Sequence, residues 1–283
     1  GGKNAMPLRG VRGGMVFGVF LLVALAAGLP HLALLGAAFS MDWYATVMPN
    51  TFTLQHFQNA LSHEIVVPSI INSLKYSSLA MMFAVAVGIP AALLLIRWKP
   101  RGRRFIDLMV MMPLAVPGII MAFGYLGMCA RYDWLNAWLD PIANPTLLLA
   151  AAYAIRRLPY VVRSVCAGLE QTPETLEEAA RNLGAGSMTV LRRVTVPLIG
   201  ANIVVGALFA FSFSMLEVSD SLLLAQKSAF YPITKAIFEL SQILGEGTSI
   251  ACAFGVWAML FLTFSLLAAT VLMGKKMGSL FRF

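Results

Sequence analysis

The chain has 283 residues, 59% of them hydrophobic and only 12% charged, with a mean hydropathy of +0.79. Soluble domains carry roughly 25% charged residues, so this composition excludes an ordinary water-soluble fold and places the chain in a bilayer. The net charge of +8 is held in short clusters between apolar runs, a pattern of membrane orientation and not of nucleic-acid binding.

Crossing about 30 Å of hydrocarbon takes roughly 20 apolar residues as a helix. Residues 1–13 read as a cytoplasmic N-terminal segment, and 14–283 as one six-helix transmembrane domain. The first span, 14–39, is too long for a signal-peptide core and lacks a small-residue cleavage site. The second, 67–96, contains Gly88 and Pro90; the third, 105–130, contains Pro113, Pro117 and Gly118. Such positions serve either close packing or a hinge. The fourth span is weaker. Thr146 to Ile155 is apolar but short, and Arg156-Arg157-Leu158-Pro159-Tyr160-Val161-Val162-Arg163 follows, so this helix is expected to end in basic residues that snorkel to the interface. The fifth and sixth spans are 199–226 and 248–274. The predicted fold is an all-α membrane protein with six transmembrane helices and a cytoplasmic loop between the fourth and fifth. Continuous apolar segments without period-two alternation exclude a β-barrel.

In this arrangement seventeen of the 21 basic residues fall on one side, among them Lys3, Arg9, Arg12, the run Arg97 to Arg104, Arg156, Arg157, Arg192, Arg193, Lys275, Lys276 and Arg282. The other side has only Arg131, Lys227 and Lys235, and Lys75 lies within the second helix. The positive-inside rule then puts both termini in the cytoplasm. Cys129, Cys166 and Cys252 lack the spacing of a disulfide framework or zinc site and read as small core residues. His31, His56 and His63 show no metal spacing.

The cytoplasmic loop Gln171 to Ser187 has its own helical design. Thr172 suits the N-cap and Pro173 the first helical position, with Glu174, Glu177 and Glu178 in the early turns favoured by the helix dipole. Leu176, Ala179, Ala180 and Leu183 share one face at i, i+3, i+4, i+7 spacing. Gly184 is placed to stop the helix, and Ser187 to cap a second short helix leading to Pro197. An amphipathic helix of this kind either docks in a groove on another protein or rests on the bilayer surface.

This segment resembles a family signature. Importer permeases of the bacterial ATP-binding-cassette (ABC) superfamily carry Glu-Ala-Ala, three residues, Gly, nine residues, Ile, one residue, Leu-Pro in a cytoplasmic loop about a hundred residues from the C-terminus. Here Glu178-Ala179-Ala180, Gly184, Val194 and Val196-Pro197 keep both intervals, with Val in place of Ile and of Leu. The resemblance runs from the second helix to the C-terminus. It implies a type I importer permease in the bacterial cytoplasmic (inner) membrane, whose Glu-Ala-Ala helix inserts into a cleft of a cytoplasmic ATPase. The coupling residues it implies are Glu177, Glu178, Ala179, Ala180, Gly184 and Pro197, with Glu178 making polar contacts, the alanines allowing close approach and Gly184 supplying the turn. The implied partners are two copies of the ATPase, an external or periplasmic solute-binding protein, and a second permease half as homodimer, heterodimer or fused chain. No Gly-x-x-x-x-Gly-Lys-Ser/Thr loop occurs in the chain; ATP is expected on the separate ATPase, with no cofactor or enzymatic activity in this chain.

Intramembrane acids are expensive enough to be functional candidates. Glu217 and Asp220, three apart in the fifth span, are expected in a water-filled vestibule in its outer half, as a cation path or outer gate; helix–helix hydrogen bonding is the other reading. Lys75 is expected to snorkel outward or to pair with Glu217. The outer-loop acids Asp42, Glu64, Asp133, Asp140, Glu239 and Glu246 are placed to receive a binding protein or simply to be solvated.

The wording Arg-Leu-Pro-Tyr-Val-Val-Arg before the signature and Leu-Glu-Val-Ser-Asp-Ser-Leu after it resembles the ferric-iron, polyamine and phosphonate group, with ferric iron favoured and thiamine also open. In that group two six-helix halves are often fused, and a start at Gly1 without methionine is expected of a C-terminal half. An ion-driven secondary transporter would need no docking loop. A membrane enzyme would need a His, Cys or paired-carboxylate set at reactive spacing, which the chain lacks.

Overall fold

The computed structural model describes residues 10–41, 43, 46, 48–49 and 51–280, with the side chains of Arg12 and of 268–280 left aside. Lys3, Arg9, Asp42 and Arg282, and the side chains of Lys275 and Lys276, therefore lie outside the described residues. All described secondary structure is helical apart from one antiparallel bridge, Ser40 to Phe52. In chain order the helices are α1 (Val11–Phe39), α2 (Gln55–Ser62), α3 (Val66–Leu93), α4 (Arg103–Ala115), α5 (Gly118–Arg131), α6 (Asp133–Leu139), α7 (Thr146–Gln171), α8 (Thr175–Asn182), α9 (Ser187–Val190), α10 (Val196–Leu198), α11 (Gly200–Met215), α12 (Ser219–Leu224), α13 (Ile233–Ser241) and α14 (Gly247–Leu280). Two π-helical turns interrupt this order, Leu94–Trp98 after α3 and Leu191–Thr195 between α9 and α10.

Residues group into two compact units. The first holds the described residues up to Leu61 together with Leu240–Trp257. In it the bridge from Ser40 to Phe52 and the tilted contact of Phe39 with Phe57, ring centroids 4.8 Å apart, tie the end of α1 to α2 and the residues before it. The buried ring of His56 completes that tie, its Nε2 lying 3.0 Å from the Ser40 carbonyl oxygen.

The second unit, Ser62–Glu239 together with the described residues from Ala258, is organised around α7. α3, α11, α4, α12 and α5 all pack against it. The buried side of α3 carries a stripe of small residues at helical spacing: Ser69, Ser73, Ser77, Ala80, Ala84, Gly88 and Ala92. Lipid tails offer helices no hydrophobic reason to associate, so small residues that let backbones approach carry the packing. At Val161 the fit is close on two sides: a Cβ on Gly88 of α3 would stand 2.7 Å from Val161 Cγ1, and one on Gly206 of α11 would stand 3.0 Å from Val161 Cα. Two apolar clusters result. One gathers Tyr76, Ala80, Leu148, Leu149, Tyr153 and Leu224, and the other Ala84, Val161, Val162, Val165, Leu169 and Ile199.

Three of the six predicted spans differ from expectation. α1, α3 with its π turn, and α14 are long and apolar enough to cross a membrane. The third span is broken: α4 and α5 meet at 105°, because Pro117 has no N–H to continue the helix and Val116 before it is extended. The fifth span bends by 72° at Ile199 and ends at Met215, before a break and the short α12. The fourth is no short segment ending at an interface. α7 runs 26 residues through Pro159 to Gln171, and Arg156 and Arg157 sit inside it.

Candidate functional site

Two polar constellations stand out, one at the exposed α8 and one buried between the two apolar clusters. α8 starts later than the capping pattern suggests. The Thr172 hydroxyl donates back to the Gly168 carbonyl at 2.9 Å and so finishes α7 instead of opening α8. The C-terminal stop is as expected: Gly184 has φ +88°, its N–H reaches the Arg181 carbonyl at 2.9 Å, and the Ala185 N–H reaches Ala180 at 3.1 Å. These paired bonds form a Schellman ending, which needs a left-handed residue that glycine adopts without strain.

Among the described residues most of the apolar face of α8 is uncovered. Leu183 is 90% exposed and Leu176 46% exposed; Glu178, Ala179 and Gly184 are exposed and Ala180 is half-buried. Pro197, in α10, is exposed as well. Glu177 is the exception among the six predicted coupling residues. It is buried, accepts a hydrogen bond from Arg97 Nε at 3.0 Å, and lies 3.9 Å from Arg181 Nη2. Glu177 thus ties α8 to the end of α3.

The buried constellation begins at Arg156, whose guanidinium forks onto Asp220: Nε donates to Oδ2 and Nη2 to Oδ1, each at 3.1 Å. Arg156 Nη1 donates to the Val116 carbonyl at 3.4 Å, the oxygen freed by the α4/α5 break. Arg157 Nη2 donates to Glu217 Oε2 while its guanidinium stands over the Phe213 ring, and Arg156 Nε is 3.7 Å from the same carboxylate. Glu217 Oε1 in turn accepts the backbone N–H groups of Ser219 at 3.1 Å and Asp220 at 3.5 Å, capping α12. Its backbone carbonyl accepts the Thr234 hydroxyl at 2.6 Å. Two arginines and two acids are therefore neutralised as a set, which is how charges persist inside a bilayer.

The expectation of a hydrated vestibule gives way to its alternative, helix–helix hydrogen bonding, and of the two readings of Lys75 only the pairing with Glu217 is corrected. Glu217 and Asp220 are 5% and 0% exposed and occupy a helix break and the start of α12, not a hydrated vestibule on one continuous helix. Glu217 pairs with Arg157 and Arg156, whereas Lys75 is exposed. Arg156 and Arg157 also leave the count of interfacial charges, since their partners lie within the protein. Reading the sequence missed both arginines as network members, and Arg97 as well. The available signal was stoichiometric: two buried acids in a bilayer demand two buried bases.

Among the outer-loop acids, Asp140 binds its own loop, accepting the N–H groups of Ile142 at 2.7 Å and Ala143 at 2.8 Å. Glu239 pairs with Lys235. Cys129 and Cys166 are buried and unbridged. Among the described residues no three His, Cys, Asp or Glu side chains gather to hold a metal ion.

Residues 84–271 match the model of the family described as binding-protein-dependent transport system inner membrane component. The molybdenum transport system permease protein ModB of Escherichia coli (strain K12) is 33% identical over 157 residues, covering 53% of this chain and 67% of that protein. The putative 2-aminoethylphosphonate transport system permease protein PhnV of Salmonella paratyphi A is 27% identical over 235 residues, 82% of each chain. The fold is similar to the crystal structure of a bacterial ABC transporter involved in the import of alginate, with a TM-score of 0.71 at 19% identity over 92% of this chain and 96% of that one. With its helical order, broken spans and matched length, the chain belongs to the binding-protein-dependent transport system inner membrane component family, as a type I ABC importer permease.

Proposed function

We propose that this permease subunit couples to a separate cytoplasmic ATPase through α8, and that closure of an ATPase dimer on ATP drives the membrane helices between inward-facing and outward-facing states. The observation that carries this reading is the geometry of α8. Its apolar edge of Leu176, Ala179 and Leu183 is bare, its end is fixed by Gly184, and its opposite edge is anchored by Glu177. A helix on a rigid mount with small residues on its free face suits a groove on a protein. Two permease halves and an external solute-binding protein complete the proposed assembly, with both termini in the cytoplasm.

For the solute, the wording around the signature favours ferric iron, while similarity to permease proteins named for molybdenum and 2-aminoethylphosphonate favours a small anion. We take the anion as the leading reading, because the two stretches that suggested iron, Arg157 to Arg163 and Leu216 to Leu222, are joined inside the protein by the pair Arg157 and Glu217. Uptake of molybdate, 2-aminoethylphosphonate and ferric iron by the assembled transporter separates these solutes. Co-purification of the cognate ATPase with the parent chain and with Glu178→Ala and Gly184→Val tests the coupling reading. Loss of the ATPase from folded variants is the expected result, and unchanged docking refutes it.

A further inference from the structure

The bare face of α8 explains how a partner could grip it, but not how its motion would reach the membrane. Arg97 supplies a path. It lies in the π turn that ends α3, with only 9% of its side chain exposed, and it spends its donors on three segments. Nε donates to Glu177 of α8 at 3.0 Å, Nη1 to the Leu169 carbonyl at 3.1 Å, and Nη2 to the Thr172 carbonyl at 3.0 Å. The last two oxygens lie at the C-terminal end of α7: the Leu169 carbonyl also accepts the Thr172 N–H at 3.3 Å, and Thr172 is the residue just past the helix. A second link runs outside it: Lys99 Nζ lies 3.3 Å from Glu174, on a backbone held in the left-handed region at φ +46°, a conformation that non-glycine residues keep only where their surroundings impose it. π turns inside helices recur at functional sites because one extra residue redirects the side chains that follow.

We infer that Arg97 is a positioning residue of energy coupling, a strut that makes α8, the end of α7 and the end of α3 move as one body. α3 packs against both α7 and α11, so a push on α8 enters the helical core at its cytoplasmic edge and is not absorbed in the loop Thr172–Glu174. This rests on the reading of α8 as the ATPase-docking helix. Arginine is required because its planar fork meets a carboxylate and two carbonyls at once; lysine offers a single point of attachment.

The test uses the complete transporter with its ATPase, spin-labelled at Gly186→Cys beyond α8 and Val87→Cys on α3, both exposed positions. The inter-label distance is measured without nucleotide and after trapping with ATP and vanadate. In the parent the distance is the same in both states. In Arg97→Gln, with ATPase docking and basal ATP hydrolysis retained, trapping shifts the distance, and Arg97→Lys gives an intermediate shift. A residue that merely stabilises the fold would lower yield and docking together without separating α8 from α3. An unchanged distance in docked Arg97→Gln overturns the strut. Should Arg97→Gln not fold, Glu174→Ala with Glu177→Ala, which removes both carboxylates that Arg97 faces on α8 and at its N-cap, gives the same comparison. Failure of the parent ATPase to depend on Glu178 and Gly184 for docking would refute the docking reading instead, so the two failures are distinct.

Discussion

Replacing Asp220 by Asn removes one charge from the buried network while keeping side-chain volume, so the cost is electrostatic and not that of a cavity. Arg156 lies ten residues into α7, about 15 Å along the helix at 1.5 Å per residue. Asp220 has no exposed surface, and both of its oxygens hold Arg156. Breaking a buried pair by removing one partner costs about 3–5 kcal/mol. Arg156 keeps a second acid, Glu217, at 3.7 Å and the Val116 carbonyl at 3.4 Å, so we place Asp220→Asn at the lower end, about 3 kcal/mol. Removing both partners, in Arg156→Met with Asp220→Leu, leaves Arg157 and Glu217 as a neutral pair and should recover most of that loss, since apolar replacements of buried ion pairs are often neutral or stabilising. Unfolding in mixed micelles of increasing denaturing-detergent fraction, followed by tryptophan fluorescence, measures both. A single variant within about 0.5 kcal/mol of the parent, the range of an ordinary surface substitution, or a double variant no better than the single one, would refute the argument that charge pairing holds this junction.

Gly206→Ala sets a Cβ 3.0 Å from backbone at Val161, which cannot rotate away, so the same unfolding assay should show a loss of about 1–3 kcal/mol from overpacking. Gly184→Ala forces φ +88° on a residue with a Cβ, at a cost of about 1–2 kcal/mol; because the surroundings of Gly184 are open, the loss should appear as weaker ATPase docking with little change in global unfolding. The N–H groups of Ala143 and Ile142 hold the Asp140 carboxyl below its ordinary value. Its folded value is therefore lower than its unfolded one, and the stabilisation is present above the ordinary carboxylate range and is lost as pH falls through the depressed value. A pH series on the parent should show a low-pH loss of stability that Asp140→Ala lacks; identical profiles would remove Asp140 from the account.

The positions of the membrane segments were legible because bilayer thickness sets the length of an apolar run directly. Their breaks were not. Pro90, Pro113, Pro117 and Pro159 look alike in sequence, yet only Pro117 sits at a bend; the other three stay inside helices. A neighbour decides the difference, since a carbonyl freed by a break needs a donor, and Arg156 provides one to Val116. That donor comes from 40 residues away, beyond any local pattern. The same distance explains the misreading of α7. A short apolar run followed by two arginines is consistent with a helix ending at an interface, and only the acids 60 and 64 residues downstream make it a helix that continues. On α8, Gly184 was readable because a left-handed stop is a local requirement, whereas Thr172 was claimed by the helix before it.

Both constellations obey one rule. Arg97 satisfies carbonyls at the end of α7 and a carboxylate on α8; Arg156 satisfies a carbonyl at the end of α4 and a carboxylate on α12. In each case a helix end leaves part-buried backbone acceptors at a junction, and a guanidinium with five donors serves them while pairing with an acid on the next element. The charge makes the interruption tolerable, and the interruption orients the charge. Losing the arginine should therefore disturb two elements at once, which sets Arg97 and Arg156 apart from the exposed arginines of the same chain.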